Sequence, residues 1–210
     1  MHARKRSNKK RLWDRHPEDW YIEPDWCDDR LFAAEKFEGR IHDPACGSGR
    51  IIAAARRAGL RATGSDIVKR APSFRVGNFF EQTRFVENVV SNVPFRFAMA
   101  FVGHALNLAD RKVAILLPSA WINAEARSIW LSRTPLRQIW LLAPRPSMPP
   151  GHRANEPRVG NGTTDFAWLV WERGYVEKPR IGWLRRGDTD PSPISVPAPG
   201  FAAHLLKEPA

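Results

Sequence analysis

Two glycines separated by one residue, Gly47 and Gly49, follow a short apolar stretch ending in Asp43-Pro44-Ala45-Cys46 and precede the apolar-periodic run 50–58, which closes at Gly59. This is the pattern of a buried strand, a tight turn and a helix. Glycine permits backbone angles and close approach that a side chain would block, so a ligand can lie against the main chain here, facing the free N–H groups of the helix start. A second strand pattern, 61–65, ends in Asp66, 19 residues after Gly47. A nucleoside-binding α/β unit places its ribose-binding acid at about that distance. Neither Gly-x-Gly-x-x-Gly nor Gly-x-x-x-x-Gly-Lys spacing occurs at this turn, which argues against a dinucleotide fingerprint and a phosphate-cradling loop. A tight turn without a ligand is the alternative reading of the same residues.

The run Asp43-Pro44-Ala45-Cys46-Gly47-Ser48-Gly49 resembles the S-adenosylmethionine motif of the amino-group DNA methyltransferases, particularly those acting on adenine. The resemblance implies a Rossmann-like class I fold: a mostly parallel seven-stranded sheet with an antiparallel edge strand. It implies cofactor contacts from Asp43, Pro44, Ala45, Cys46, Gly47 and Gly49, and from Asp66 with Ile67 after the second strand. The segment Tyr21-Ile22-Glu23-Pro24 loosely resembles the stretch that closes over the methionine end of the cofactor, with Glu23 where a threonine is usual; Tyr21 and Pro24 are its candidate contacts. An N-terminal helix packing aromatics on the sheet edge explains it equally well. Further on, Asn78 and Phe79 stand where family members carry an acid for the cofactor's adenine amino group. Asn78 offers an uncharged amide oxygen in its place, or serves the turn alone.

The stretch Asn92-Val93-Pro94-Phe95 follows the apolar pair Val89-Val90, so a polar group falls at the C-terminal end of a strand, where open α/β sheets bind ligands. It resembles the catalytic Asn-Pro-Pro-Phe motif of amino methyltransferases, with Val93 in place of the first proline. The amine of a purine ring is a poor nucleophile because its lone pair is delocalised. In the resemblance, the Asn92 side-chain oxygen and the Val93 carbonyl each accept one amino hydrogen, and Phe95 stacks on a base turned out of the duplex. Transfer then rests on positioning and electrostatics. Val93 keeps the carbonyl but lacks the ring that fixes φ, which loosens the loop. The same motif also serves methylation of rRNA bases and protein glutamine. A decayed protein that binds cofactor or DNA without catalysis is the non-enzymatic alternative.

These residues need a sheet to hold them, and strand and helix patterns alternate along the chain. After a helical stretch at 31–37 come strands at 41–43, 61–65, 75–80 and 88–91, a helix at 97–109, a strand at 112–117, a helix at 121–132, and strands at 136–142 and 164–171. The alternation predicts a mostly parallel sheet covered on both faces. With 210 residues, 43% hydrophobic, the chain holds one domain, read as 20–184. His104 lies inside a helical pattern with no partner at ligand spacing, and Cys27 and Cys46 make no metal cluster. The absence of a long apolar run and of a leader suggests a soluble cytoplasmic protein.

The formal charge is +11, which points to a polyanionic partner. Residues 1–16 carry seven basic groups against one acid, a net +6. Arg4, Lys5, Arg6, Lys9, Lys10 and Arg11 read as phosphate contacts on a basic arm (1–19), or as a solubilising tail. The Pro/Gly-rich basic stretch 143–164 reads as a DNA-facing loop carrying Arg145, Arg153 and Arg158, or as a flexible crossing. Residues 185–210 are a proline-rich irregular tail.

Overall fold

The computed structural model describes residues 19–153 and 162–187. The arm residues Arg4, Lys5, Arg6, Lys9, Lys10 and Arg11, the loop residue Arg158 and the tail beyond 187 lie outside them. The chain enters through helix α1 (Asp25–Ala34), with Pro24 at its N-cap, then strand β1 (Ile41–Asp43), helix α2 (Arg50–Arg57) and strand β2 (Ala62–Asp66). Strands β3 (Arg75–Val76) and β4 (Val86–Ser91) follow, then α3 (Ala98–Leu108), β5 (Ala109–Pro118), α4 (Glu125–Leu131), β6 (Leu136–Ala143), β7 (Phe166–Glu172) and β8 (Arg180–Arg185).

The eight strands form one sheet in the order β3-β2-β1-β4-β5-β7-β6-β8. All neighbours pair in parallel except β7, which runs antiparallel to both β5 and β6. The mostly parallel α/β fold is as the sequence implies, with two differences. The sheet has eight strands where seven were expected, and the antiparallel strand lies inside the sheet instead of at its edge. Burial gives the reason: six of the seven residues of β7 are buried, a continuous apolar run that suits a strand covered on both faces. The edge on this side falls to β8, largely exposed and paired to β6.

The period of two along β7 divides the core. Phe166, Trp168 and Val170 pack with Val90, Ala114 and Leu116 under the face that carries Leu31 of α1 and Ile51 and Ile52 of α2. Ala167, Leu169 and Trp171 pack with Val89, Val113, Ile115 and Leu117 against Phe101, Val102 and Ala105 of α3. Each tryptophan also satisfies its indole N–H: Trp168 donates to the Cys27 carbonyl at 3.1 Å and Trp171 to Thr134 Oγ1 at 2.9 Å. At the N-terminal ends of β5 and β6, buried Glu35 collects Lys112 Nζ (3.0 Å), Trp140 Nε1 (2.8 Å) and Arg137, which also pairs with Glu172 at 2.7 Å. This network leaves the opposite, C-terminal ends of the strands for the site.

Residues 146–151 are not a solvent-facing loop. They are buried and clasp the N-terminal segment: Ile22 N–H donates to the Pro149 carbonyl at 2.9 Å, Gly151 N–H to the Trp20 carbonyl at 3.0 Å, and Tyr21 forms an isolated bridge with Pro150. A Cβ at Gly151 would lie 2.1 Å from the Trp20 ring, so only glycine admits this contact. Trp168→Ala should cost about 3–5 kcal/mol in urea unfolding, because it empties a filled core and orphans a carbonyl partner, whereas Trp183→Ala on the exposed edge should cost no more than about 0.5 kcal/mol.

Candidate active site

The sheet order reverses between β1 and β4, whose pairing covers only Ile41↔Asn88 and His42↔Val89. Beyond that register the chains part, and the crevice at the carboxyl ends is where such sheets hold ligands. It is lined by Trp20, Tyr21, Glu23, Asp43, Gly47 and Asn92, among others, and encloses about 20 Å³, room for roughly one water. Six residues anticipated from sequence meet here: Tyr21, Asp43, Ala45, Cys46, Gly47 and Asn92.

The glycine turn has the strained backbone that its sequence suggests, with φ of +51° at Gly47 and +90° at Gly49. Side chains from elsewhere occupy the space these glycines leave open. A Cβ at Gly47 would stand 2.9 Å from Trp20 Nε1, and one at Gly49 would stand 2.4 Å from the Phe74 ring. The Arg70 guanidinium covers the Trp20 ring at 3.9 Å, a cation–π contact, and its Nε lies 4.0 Å from Asp66. Asp66 ties the second strand to the turn by accepting from Gly47 N–H at 2.8 Å and Val68 N–H at 2.9 Å. A carboxylate has about four lone-pair sites, so capacity for a diol is left.

Asp43 ends β1 wholly buried. Its Oδ1 accepts from Ser91 Oγ at 2.7 Å and from Ala45 N–H at 3.2 Å. Burial dominates and pushes its carboxyl up to about 8, with the Glu23 and Asp66 charges adding to the rise and the two hydrogen bonds opposing it. Asp28 on α1 is buried as well, with neither oxygen bonded among the described residues; burial, then the Glu23 charge, holds it well above the usual carboxylate range. Desolvation, followed by the Asp43 charge, raises the Cys46 thiol to about 12.

Asn92 follows β4 directly. Its Nδ2 donates to Glu23 Oε2 at 2.6 Å and to the Tyr21 carbonyl at 3.0 Å. Val93 is 1% exposed within the α3-side core, so packing restrains the loop that lacks a proline ring. Pro94 then caps a 3-10 turn at Phe95–Phe97. Phe95 lies parallel to Tyr21, with ring centroids 6.0 Å apart and 5° between planes, and also contacts Phe166.

Other anticipated residues stand apart from the crevice lining. Asn78 caps its turn, accepting from Phe80 N–H and donating to Glu81, each at 3.1 Å. Phe79 is buried against Phe101 and His104, and the neighbouring Phe80 is the exposed ring. Pro24 starts α1, Pro44 is buried in the turn, and Ile67 is exposed past β2. Arg145 is exposed and pairs with Asp165 at 2.6 Å, while Arg153 is half-buried in the 3-10 turn after the clasp. Sequence reasoning missed Trp20, Arg70, Ser91 and the contact of Glu23. The one signal for Glu23 was its departure from the usual threonine.

No protein-family profile and no curated protein matches this chain. Solved structures do match. The M protein of the type I restriction enzyme EcoKI superposes with a TM-score of 0.57 at 14% identity, covering 80% of this chain and 49% of that one. PH1948 from Pyrococcus horikoshii, provisionally assigned as an RNA methyltransferase, gives 0.55 at 14% identity over 78% and 93% of the two chains. The 23S rRNA methyltransferase ErmE gives 0.50 at 12% identity over 76% and 72%. The chain has their Rossmann-like fold and spans about half the length of the EcoKI M protein.

The raised Asp43 carboxyl sets a pH dependence. The native state keeps a proton that the unfolded chain releases above about pH 4, so stability falls as pH rises toward about 8, by up to ~1.4 kcal/mol per pH unit. Asp43→Asn should flatten that decline in urea unfolding followed from pH 5 to 8, leaving the component from Asp28. Both cysteines are buried, and neither should react with a thiol-specific disulfide at pH 8 until the protein is denatured, when both should.

Proposed function

We propose that this chain is an S-adenosylmethionine-dependent methyltransferase acting on the exocyclic amino group of adenine in DNA. The observation that carries the reading is the convergence of Asn92, Asp43 and the Gly47 turn on one crevice at the switch point of a methyltransferase-like sheet. The donor set suits the cofactor: Asp66 retains acceptor capacity for a ribose diol. Trp20 and Arg70 cover the glycine turn, so the nucleoside takes its place as they swing aside.

S-adenosylmethionine supplies the methyl group as an electrophilic sulfonium. Asn92 Oδ1 and the Val93 carbonyl accept the two amine hydrogens and so hold the nitrogen lone pair toward the methyl. The Tyr21–Phe95 ring pair offers an apolar wall for the flat base, and the clasped segment 20–23 shields the crevice from water. The +11 charge favours a nucleic-acid acceptor, DNA or RNA alike, over protein, and the likeness of the run from Asp43 to Gly49 to the adenine enzymes favours adenine in DNA. Arg4, Lys5, Arg6, Lys9, Lys10 and Arg11 are the proposed phosphate contacts, and Arg145, Arg153 and Arg158 the proposed phosphate or base contacts.

Methyl-labelled cofactor incubated with unmethylated genomic DNA, then analysed by nucleoside mass spectrometry, should yield labelled N6-methyladenine, reduced at least ~100-fold by Asn92→Ala. Label appearing in rRNA but not DNA would move the acceptor to RNA. No label in DNA, RNA or protein from a folded protein would overturn the enzymatic reading.

A further inference from the structure

An amide side chain is nearly symmetric in shape but opposite in polarity at its two ends. For Asn92 the difference decides everything, since an oxygen toward the crevice accepts an amine hydrogen and an NH2 group there repels it. The chain from β4 through Val93 to Pro94 does not choose between the two. The segment across the crevice does. Both neighbours of Asn92 Nδ2, the Tyr21 carbonyl and Glu23 Oε2, are acceptors, at 3.0 and 2.6 Å. A flipped amide would set its oxygen against two others, leaving three partial or full negative charges together.

We infer that Glu23 is a positioning residue: its carboxylate fixes the Asn92 amide with Nδ2 inward and Oδ1 toward the crevice. The inference rests on the methyltransferase reading of Asn92 and adds a residue to it. Glu23 is 5% exposed, so its hydrogen bond is shielded from water and its charge from screening. A charge-assisted bond to the amide NH2 also draws electron density onto Oδ1, which strengthens that oxygen as an acceptor. The carboxylate is itself placed by its surroundings. Pro24 begins α1 directly after it, Ile22 is bonded to Pro149, and Tyr21 is bridged to Pro150 and stacked on Phe95. The proline-rich stretch 146–151 therefore reaches the chemistry through Glu23.

A paired substitution tests this by a change of sign. Glu23→Gln should lower the single-turnover methyl-transfer rate roughly 10–100-fold, with cofactor affinity by calorimetry within about twofold of the parent, since only the orientation of Asn92 is loosened. Asn92→Asp places two carboxylates at 2.6 Å and should lower both rate and melting temperature. Adding Glu23→Gln to Asn92→Asp should restore both, because the glutamine NH2 can donate to the new carboxylate. A Glu23→Gln change that harms both backgrounds alike, or that lowers cofactor affinity in step with rate, would reduce Glu23 to a prop for its segment and overturn the inference. If the parent protein transfers no methyl group to any acceptor, the functional reading falls, and the melting-temperature reversal still decides the contact: recovery in the double variant upholds it, and its absence overturns it.

Discussion

The hydrogen bond from Ser91 Oγ to Asp43 Oδ1, 2.7 Å and fully buried, joins the two strands at the point where their backbones stop pairing. On one side of it the chain turns through Pro44 and the glycines into α2. On the other it turns through Asn92 and Val93 into the 3-10 turn before α3. The two halves of the crevice are held at a fixed separation by this tie. Burying a carboxyl to make it is costly, which is why Asp43 keeps its proton at neutral pH, with the nearby Glu23 and Asp66 charges reinforcing the effect. Opposite the crevice, Glu35 anchors the N-terminal ends of β5 and β6 through Lys112 and Arg137. The sheet is thus pinned at both ends by buried acids, one neutralised by a proton and the other by cations.

The crevice is built by segments far apart in sequence. Residues 20–23 lie across the turn and reach Asn92, and residues 146–151 hold them there through the two backbone hydrogen bonds of the Tyr21–Pro150 bridge. Trp20 fills the space above Gly47, stacks under Arg70 and rests on Gly151. One aromatic ring thereby connects the glycine turn, the segment after β2 and the proline-rich stretch. The contacts at Gly47 and Gly151 each depend on a missing side chain, so the clasp and the turn are interdependent.

The errors of sequence reading have a common physical origin. Prolines and glycines at 144–151 signal irregular backbone, and the backbone is irregular, but irregularity does not determine exposure. Here it is buried because residues 20–22 lie against it through the isolated Tyr21–Pro150 bridge. Phe79 and Phe80 are adjacent and alike, and both touch Phe101 and His104, yet the tertiary packing buries only Phe79. The antiparallel strand was recognised as a strand from its composition, yet its place between β5 and β6 is set by long-range pairing with both, and the chain after Glu172 then forms β8 beyond β6.

Local chemistry was determined by the sequence itself. The strand, glycine turn and helix at 41–57, the acid 19 residues after Gly47 and the amide following Val89-Val90 are read from nearest neighbours, because glycine angles, helix periodicity and buried β runs depend on a few adjacent residues. The tertiary structure alone decided the polarity of that amide, the proton on Asp43 and the burial of residues 146–151. These are long-range electrostatic and packing effects: Asn92 is oriented by groups 69 and 71 residues away along the chain, Asp43 keeps its proton because the assembled fold buries it, and no local pattern encodes which groups will meet.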